Sequence, residues 1–414
     1  MNSNTDILIV GAGIIGLSTA VKLAERGAQV RVLDRGSIGF GCSYGNAGWM
    51  TPCFALPLPM PGLFFKSLKW LMNPESPLYI KPSLDPLLFK WLAHFTLSMS
   101  EKKARAATEA LVALSKVSLE LYEKLAVEHP EIGFEKKGLL MVAQSKVGVG
   151  AALQELDYVS RYAIPGRALS PDEIRNMEPS LQGHLEGGVY FPQEAHAEPL
   201  KVVKALAQKA QKLGVQIEEN VDVTGWKIEN GKIKNLQTSK GERTAETYVL
   251  ATGSWSQAIA KELGLSIPIL GGKGYALIVP PLQPQPRHPL MLIEKKIAIT
   301  PRANSLRIAG TMELVNQDFS ITERRVQAII RGAREFLPVP MDLKIEETWR
   351  GLRPCTPDGV PLIGFSQKVE NLALACGHQM LGLQSGFGTG QLLADLILTG
   401  KSDLDRKIYD PNRF

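Results

Sequence analysis

The first thirty-four residues constrain this chain more than any other stretch. An apolar run, Asp6-Ile7-Leu8-Ile9-Val10, enters Gly11-Ala12-Gly13-Ile14-Ile15-Gly16, and a second run from Gln29 to Leu33 ends in Asp34. Gly11 permits a tight turn out of a strand, Gly13 lets the backbone approach a pyrophosphate, and Gly16 lets the following helix pack on the sheet. The helix start at Ile14 and Ile15 offers free N–H groups and the positive end of the helix dipole to an anion. Asp34, followed by Arg35, falls where a ribose hydroxyl needs an acceptor, and its carboxylate repels a 2′-phosphate. The pattern predicts a dinucleotide-binding βαβ unit. It leaves FAD and NAD undecided, because both present an ADP half to such a turn.

Beyond that unit, 414 residues with 44% hydrophobic and 21% charged content suffice for a large core and two domains. A formal charge of +6 is spread without a basic run long enough to follow a nucleic acid, so nucleic-acid binding is not expected. Cys42, Cys53, Cys355 and Cys376 show neither CxxC pairs nor a disulfide spacing and read as the reduced thiols of a cytoplasmic protein. The six histidines form no metal-ligand pattern, and His196, between Glu194 and Glu198, reads as a surface residue. The N-terminal apolar stretch lacks a basic leader and a cleavage site, and residues 52–72 are cut by Pro57, Pro59 and Pro61 and carry Lys66 and Lys69. Neither an export signal nor a membrane span of about twenty apolar residues is expected.

Along the chain, Leu63–Met72 and Leu87–Met99 read as short aromatic-studded helices, and Glu101–Val127 as a longer one with Leu111, Leu114, Leu121 and Leu125 on one face. Strands are expected at Lys137–Val142, Gln216–Glu218, Thr247–Leu250, Tyr275–Val279, Ile297–Thr300, Leu306–Gly310 and Leu372–Cys376, with a hairpin at Asn230-Gly231. The expected fold class is α/β: a Rossmann-like nucleotide domain with a central parallel sheet, plus an α+β substrate domain with an antiparallel or mixed sheet. The expected limits are 1–58, 188–262 and 345–414 for the first domain, and 59–187 and 263–344 for the second. A nucleotide domain that returns at the C-terminus to a glycine-rich turn favours FAD over NAD.

Four stretches together carry a family resemblance over nearly the whole chain: the N-terminal fingerprint; Gly41-Cys42-Ser43-Tyr44-Gly45-Asn46-Ala47-Gly48; Trp349-Arg350-Gly351-Leu352-Arg353-Pro354-Cys355-Thr356-Pro357-Asp358; and Gly377-His378 through Gly382-Leu383 to Gly388-Thr389-Gly390. The chain resembles the D-amino-acid oxidase and dehydrogenase superfamily of FAD-dependent oxidoreductases, which includes glycine oxidase and sarcosine oxidase. Within it, Ser43-x-x-Asn46-Ala47-Gly48, Lys273-Gly274-Tyr275 and the proline-rich aromatic segment after residue 50 are most similar to the small-subunit type of bacterial D-amino-acid dehydrogenase.

That resemblance implies FAD as cofactor, with Ser43, Asn46, Ala47 and Gly48 near the flavin ring, Val223 at the adenine, Thr252 and Gly253 at a strand edge facing the cofactor, and Gly377, His378, Gly382, Leu383 and Gln384 around the far end of the flavin. It implies that Arg353 grips a substrate carboxylate beside the flavin; a guanidinium held by the following proline suits that task on physical grounds. A salt bridge from Arg353 to Asp358 or Glu347 is the competing reading, and Arg350 reads as a solvated or structural neighbour. Tyr275 reads equally as a hydroxyl near the substrate or as an aromatic facing the core, and His378 as a residue near the flavin or as one that bonds a loop. Neither Cys355 nor Cys376 stands where covalent attachment needs a thiol, so non-covalent FAD is expected.

The implied reaction is oxidative deamination of an amino acid, with a D-amino acid as first choice: hydride leaves the α-carbon for flavin N5, and the imino acid hydrolyses to a keto acid. A dehydrogenase passes the electrons to a quinone or other carrier. An oxidase acting on glycine, sarcosine, D-proline or another N-substituted amino acid uses oxygen. A different class is the flavin-carrying subunit of a hetero-oligomer. Lys66, Lys69, Lys81 and Lys90, beside the aromatics of residues 63–99, suit a peripheral contact with the inner face of a membrane, and the same apolar surface suits a pocket cover or an oligomer contact.

Overall fold

The computed structural model describes residues 6–61, 78–80 and 84–414. The expected helix at Leu63–Met72 lies outside the described residues, as do Lys66, Lys69 and Lys81.

The strand Asp6–Val10 lies in the middle of a six-stranded sheet. Gln29–Leu33 and Thr247–Leu250 flank it in parallel, Gln216–Glu218 and Leu372–Cys376 extend the parallel order, and Leu362–Phe365 closes one edge antiparallel. Isoleucine, leucine and valine fill these strands because both faces are covered and alternation is not required. On one face the helix Ile14–Ala24 packs against Gly382–Thr399, the last helix of the chain. Glycines make that approach close: a Cβ on Gly390 would stand 2.6 Å from the Ser18 backbone, and one on Gly386 2.9 Å from the Ile14 side chain. Glu101–Glu128, whose Leu111, Leu114 and Leu125 are buried, completes the layer, with Gly388 against the backbone of Leu114.

A nine-stranded mixed sheet forms the second centre. Its order places Glu347–Cys355 at one edge, then Leu270–Val279, Leu306–Val315, Ile297–Pro301, Leu290–Leu292, Leu139–Ala143, Gly187–Phe191 and Arg167–Leu169, with Leu78–Ile80 pairing Leu306–Val315. An apolar core that includes Leu277, Ile299, Ile308, Ile329 and Phe336 fills one face of it. Two small sheets complete the fold: the meander Val223–Glu229, Lys232–Thr238 and Gly241–Arg243, turning at Asn230-Gly231, and a pairing of Trp49–Met50 with Ala195–His196.

The α/β class and most element positions follow the sequence reading. Three details differ. Gly187–Phe191 and Glu347–Cys355, expected within the nucleotide segments, hydrogen-bond into the nine-stranded sheet; local pattern marks a strand but not the sheet it joins. The strand expected from Tyr275 begins at Leu270, since Gly271, Gly272 and Gly274 depress strand propensity without preventing pairing. His196 and Glu194 are buried rather than at the surface, because the pairing with Trp49–Met50 folds their short strand inward.

Candidate active site

Between the two sheets runs one continuous cavity of about 860 Å³. It begins at Gly11 and Asp34, passes Ser43 and Ala47, and reaches Arg353 and Gly382.

The Gly11 end is tightly built. Gly11 has φ +112°, and a Cβ there would stand 2.5 Å from the Ala251 carbonyl oxygen; a Cβ on Gly16 would stand 1.9 Å from the Gly11 carbonyl oxygen. Gly16 does not line the cavity, and its service is to seat the helix. Gly11, Gly13, Ile14, Ile15, Asp34 and Arg35 do line it. The Ile14 N–H is already taken, since Ser43 Oγ accepts it at 3.0 Å. Asp34 Oδ2 accepts the Ala12 N–H at 2.7 Å and Oδ1 that of Gly36 at 2.9 Å, and burial outweighs these bonds to push the carboxyl above its ordinary pKa. Arg35 stacks over the Trp255 ring at 4.2 Å, a partner that no local pattern announces. Val223 enters the wall because Val221, two residues before it, donates its N–H to the Asp34 carbonyl. Thr252 and Gly253 line the turn after Thr247–Leu250, with the Thr252 and Ser256 hydroxyls 2.9 Å apart.

The loop from Ser43 is fastened from within. Asn46 Nδ2 donates to the Cys42 carbonyl and Oδ1 accepts the Gly48 N–H at 2.9 Å. Arg307 donates to the Asn46 carbonyl, and Thr300 donates to that of Ala47 at 2.9 Å while accepting from Trp49 Nε1 at 2.8 Å. Ser43, Asn46 and Ala47 line the cavity, whereas Gly48, with φ +80° and its Cβ direction filled by the Ala197 carbonyl, holds the loop against Ala197. The Trp349 indole lies against Gly45 and Gly351, where added Cβ atoms would stand 2.1 and 2.2 Å from its ring.

Arg353 is the notable cation of the wall. Its Nη1 donates to the carbonyls of Thr311 at 3.1 Å and Gly272 at 3.3 Å. The carboxylates weighed as partners are engaged elsewhere: Asp358 pairs with Arg413 at 2.7 Å and Glu347 accepts the Tyr44 hydroxyl at 3.0 Å. No carboxylate pairs with Arg353 among the described residues, and burial lowers its pKa. Thr311, whose carbonyl it holds, is a β-branched residue at φ +62° in a bulge opposite Gly274, a costly conformation that the Arg353 contact helps hold. Arg350 is structural, donating to the Phe319 carbonyl at 2.6 Å.

Tyr275 and Gln384 both line the cavity, and each has its polar group engaged by protein partners. Side chains alternate along a strand, so Tyr275 points away from the face on which Gly274 meets Arg353. Its buried hydroxyl donates to Glu313 at 2.9 Å and accepts from the Thr322 N–H at 3.2 Å. Gln384 spends its amide on Thr51 and on the Ser115 hydroxyl while lining the cavity at the start of the helix Gly382–Thr399. His378 lines the cavity with its ring 2.9 Å from the Thr389 hydroxyl, and burial pushes its pKa down to about 3, so the ring is neutral near pH 7. Gly382 and Leu383 line the cavity; Gly377, at φ +82°, turns the chain behind it. Among the described residues no cluster suited to a metal ion occurs, and no helix is long and apolar enough to cross a membrane.

The glycine cradle, the enclosed carboxylate of Asp34 and the length of the cavity fit a dinucleotide whose second half extends toward Arg353. The model of the DAO family, FAD dependent oxidoreductase, matches residues 6–396. The D-amino acid dehydrogenase of Vibrio atlanticus (strain LGP32) is 32% identical over 407 residues, covering 96% of this chain and 97% of the relative. The D-amino acid dehydrogenase of Xanthobacter autotrophicus (strain ATCC BAA-1158 / Py2) is 33% identical over 408 residues, covering 96% of each. Among solved structures, glycine oxidase from Bacillus cereus ATCC 14579 superposes with a TM-score of 0.75 at 25% identity, over 97% of this chain and 99% of that one.

Proposed function

Because this chain belongs to the DAO family of FAD-dependent oxidoreductases, we propose that its cavity oxidises a D-amino acid held at Arg353. One observation carries the reading: a guanidinium in the cavity wall with no carboxylate partner among the described residues. An enclosed cation without a counter-charge is costly, and an incoming carboxylate relieves that cost. The two D-amino acid dehydrogenases at above 30% identity support the substrate class.

In this reading Gly11, Gly13 and the start of Ile14–Ala24 hold the pyrophosphate, Asp34 the ribose, Val223 the adenine side, and the Ser43–Ala47 loop and Gly382-Leu383 the flavin. Bound FAD supplies the hydride acceptor. Arg353 fixes the substrate carboxylate and thereby the direction of the Cα–H bond, and alignment of this kind is worth several orders of magnitude in rate. The reacting form is the neutral amine. His378, neutral and tied to Thr389, is too weak a base to take a proton efficiently near pH 7, so selection of the free amine from solution replaces a general base. Two electrons and one proton leave the substrate as hydride and the nitrogen loses a second proton; water then converts the imino acid to a keto acid and ammonia. The FAD is held without a covalent bond, since Cys355 and Cys376 are buried and burial pushes both thiols up to about 12.

The electron acceptor in this proposal is a quinone or carrier rather than oxygen. The helix Pro86–Leu97 supports it: Leu84, Phe89 and Leu97 are exposed beside Lys90, a surface suited to resting on a membrane. Purified holoprotein given D-amino acids, glycine, sarcosine and D-proline, with either a dye acceptor or oxygen, tests the whole reading. Turnover of D-amino acids with the dye and little peroxide is expected. Peroxide formed at the rate of substrate loss would overturn the dehydrogenase assignment, and no turnover with any pair would point to a subunit that needs a partner chain.

A further inference from the structure

Arg353 anchors one end of the substrate space, and the opposite end holds a carboxyl. Glu155, from the helix Lys146–Ser160, lines the same cavity. Its Oε1 is buried without a hydrogen-bond partner, and it makes no ion pair among the described residues. The nearest cation acting on it is Lys296, which is exposed and stays beyond ion-pair distance. Burial pushes the Glu155 carboxyl up to about 7, the behaviour of an acid waiting for a partner in an apolar wall.

The floor between the two ends is paved with small side chains. Ala276 pairs with Ala309, Ala309 with Ala298, and Ala298 with Met291, one row crossing four strands, and all four residues line the cavity. The Arg353 guanidinium lies over Gly274 and reaches Thr311 of the second of these strands. The helix Lys146–Ser160 that carries Glu155 packs on Leu139–Ala143 and Gly187–Phe191, which follow the strand of Met291 in the sheet order, so the carboxyl belongs to that far side of the row. With strands about 4.8 Å apart, the two strand spacings from the strand of Thr311 to that of Met291 leave on the order of 10 Å between the anchors. An amino acid whose carboxylate sits on Arg353 spans that gap only with a long, unbranched side chain.

Resting on the proposed amino-acid oxidation, we propose that Glu155 is a specificity residue that receives a hydrogen-bond donor at the far end of the substrate's side chain. The enzyme then selects long amino acids ending in an ammonium, a guanidinium or a hydroxyl over apolar ones of equal length. Glu155 is not asked to touch the reacting atoms.

Three substrates of matched length test this: D-lysine, D-6-hydroxynorleucine and D-norleucine, with the holoprotein and a dye acceptor. In the native protein kcat/KM for D-lysine or the hydroxyl analogue is expected to exceed that for D-norleucine at least tenfold, largely through KM. Glu155→Leu is expected to reduce that ratio at least tenfold. Glu155→Gln separates the donors: it keeps the hydroxyl substrate's advantage and loses that of lysine if charge is what counts, and keeps both if an acceptor oxygen suffices. Binding without turnover gives a second readout, with 6-aminohexanoate expected to raise Tm more than hexanoate in the native protein and equally in Glu155→Leu. Equal kcat/KM for all three substrates, or a Glu155→Leu effect that moves them alike, would overturn the proposal. The parent reading fails separately: if Arg353→Lys leaves all three substrates unaffected, it is the anchoring at Arg353 that is wrong.

Discussion

Gly274 and Arg353 fit one another: a Cβ built on Gly274 would stand 2.1 Å from Arg353 Nη1, so the bare backbone at 274 is what lets the guanidinium cross its neighbouring strand to the Thr311 carbonyl. Gly274→Ala is therefore expected to displace Arg353 and lower kcat/KM for every amino acid by at least tenfold, with flavin content retained. Steady-state kinetics beside the visible flavin spectrum check it.

Arg353→Lys keeps a positive charge but loses the planar fork. Two charge-assisted hydrogen bonds of roughly 1.5 to 3 kcal/mol each are at stake, so KM is expected to rise by at least about a hundredfold. An unchanged KM would show that the carboxylate binds elsewhere.

Gly16→Ala puts a methyl group where the Gly11 carbonyl oxygen lies, 1.9 Å from the ideal Cβ. The helix must withdraw from the turn, and the protein is expected to purify with little flavin. The ratio of flavin absorbance to protein absorbance measures this.

Glu194 accepts the Cys53 N–H with one oxygen and buries the other without a hydrogen-bond partner, and burial pushes its carboxyl up to about 8. Above its ordinary pKa the unfolded chain ionises this group while the folded chain keeps it protonated, so stability falls as pH rises from about 4.5 to 8, by up to about 1.4 kcal/mol per unit. Glu194→Gln is expected to raise Tm at pH 8 while giving little gain at pH 5. A gain of the same size at both would show that the native carboxyl is not held protonated.

Acid precipitation of the holoprotein is expected to leave flavin in the supernatant, since the buried thiols of Cys355 and Cys376 are strongly disfavoured as thiolates. A yellow pellet would establish a covalent bond.

Parts of this site could be read before any coordinates because each relevant residue solves a local problem. Gly11, Gly13 and Gly16 answer the needs of a single turn, and Asp34 sits at the end of the next strand; Gly351-Leu352-Arg353-Pro354 is likewise a local device. What escaped depends on contacts far along the chain. The Arg35–Trp255 stack, the Trp349 indole against Gly45 and the carboxyl of Glu155 in the cavity wall join residues that no periodicity connects. Tyr275 was readable as a strand aromatic, but the partner of its hydroxyl, Glu313, lies on another strand, and only pairing register decides which face the ring takes. His196 misled for the same reason: its flanking glutamates suggest water, and a two-residue pairing with Trp49–Met50 buries it.

The nucleotide sheet has a consequence for synthesis. Its central strand, Asp6–Val10, leaves the ribosome well before the elements it needs, since one neighbour is Thr247–Leu250 and a helix that covers Ile14–Ala24 is Gly382–Thr399. The fingerprint must wait, half covered, while nearly all of the chain is made. A nascent chain halted before residue 382 would present an unshielded apolar face around Ile14 and Leu17, a target for chaperones, and would bind cofactor poorly. Flavin can thus report that synthesis has passed the helix Gly382–Thr399.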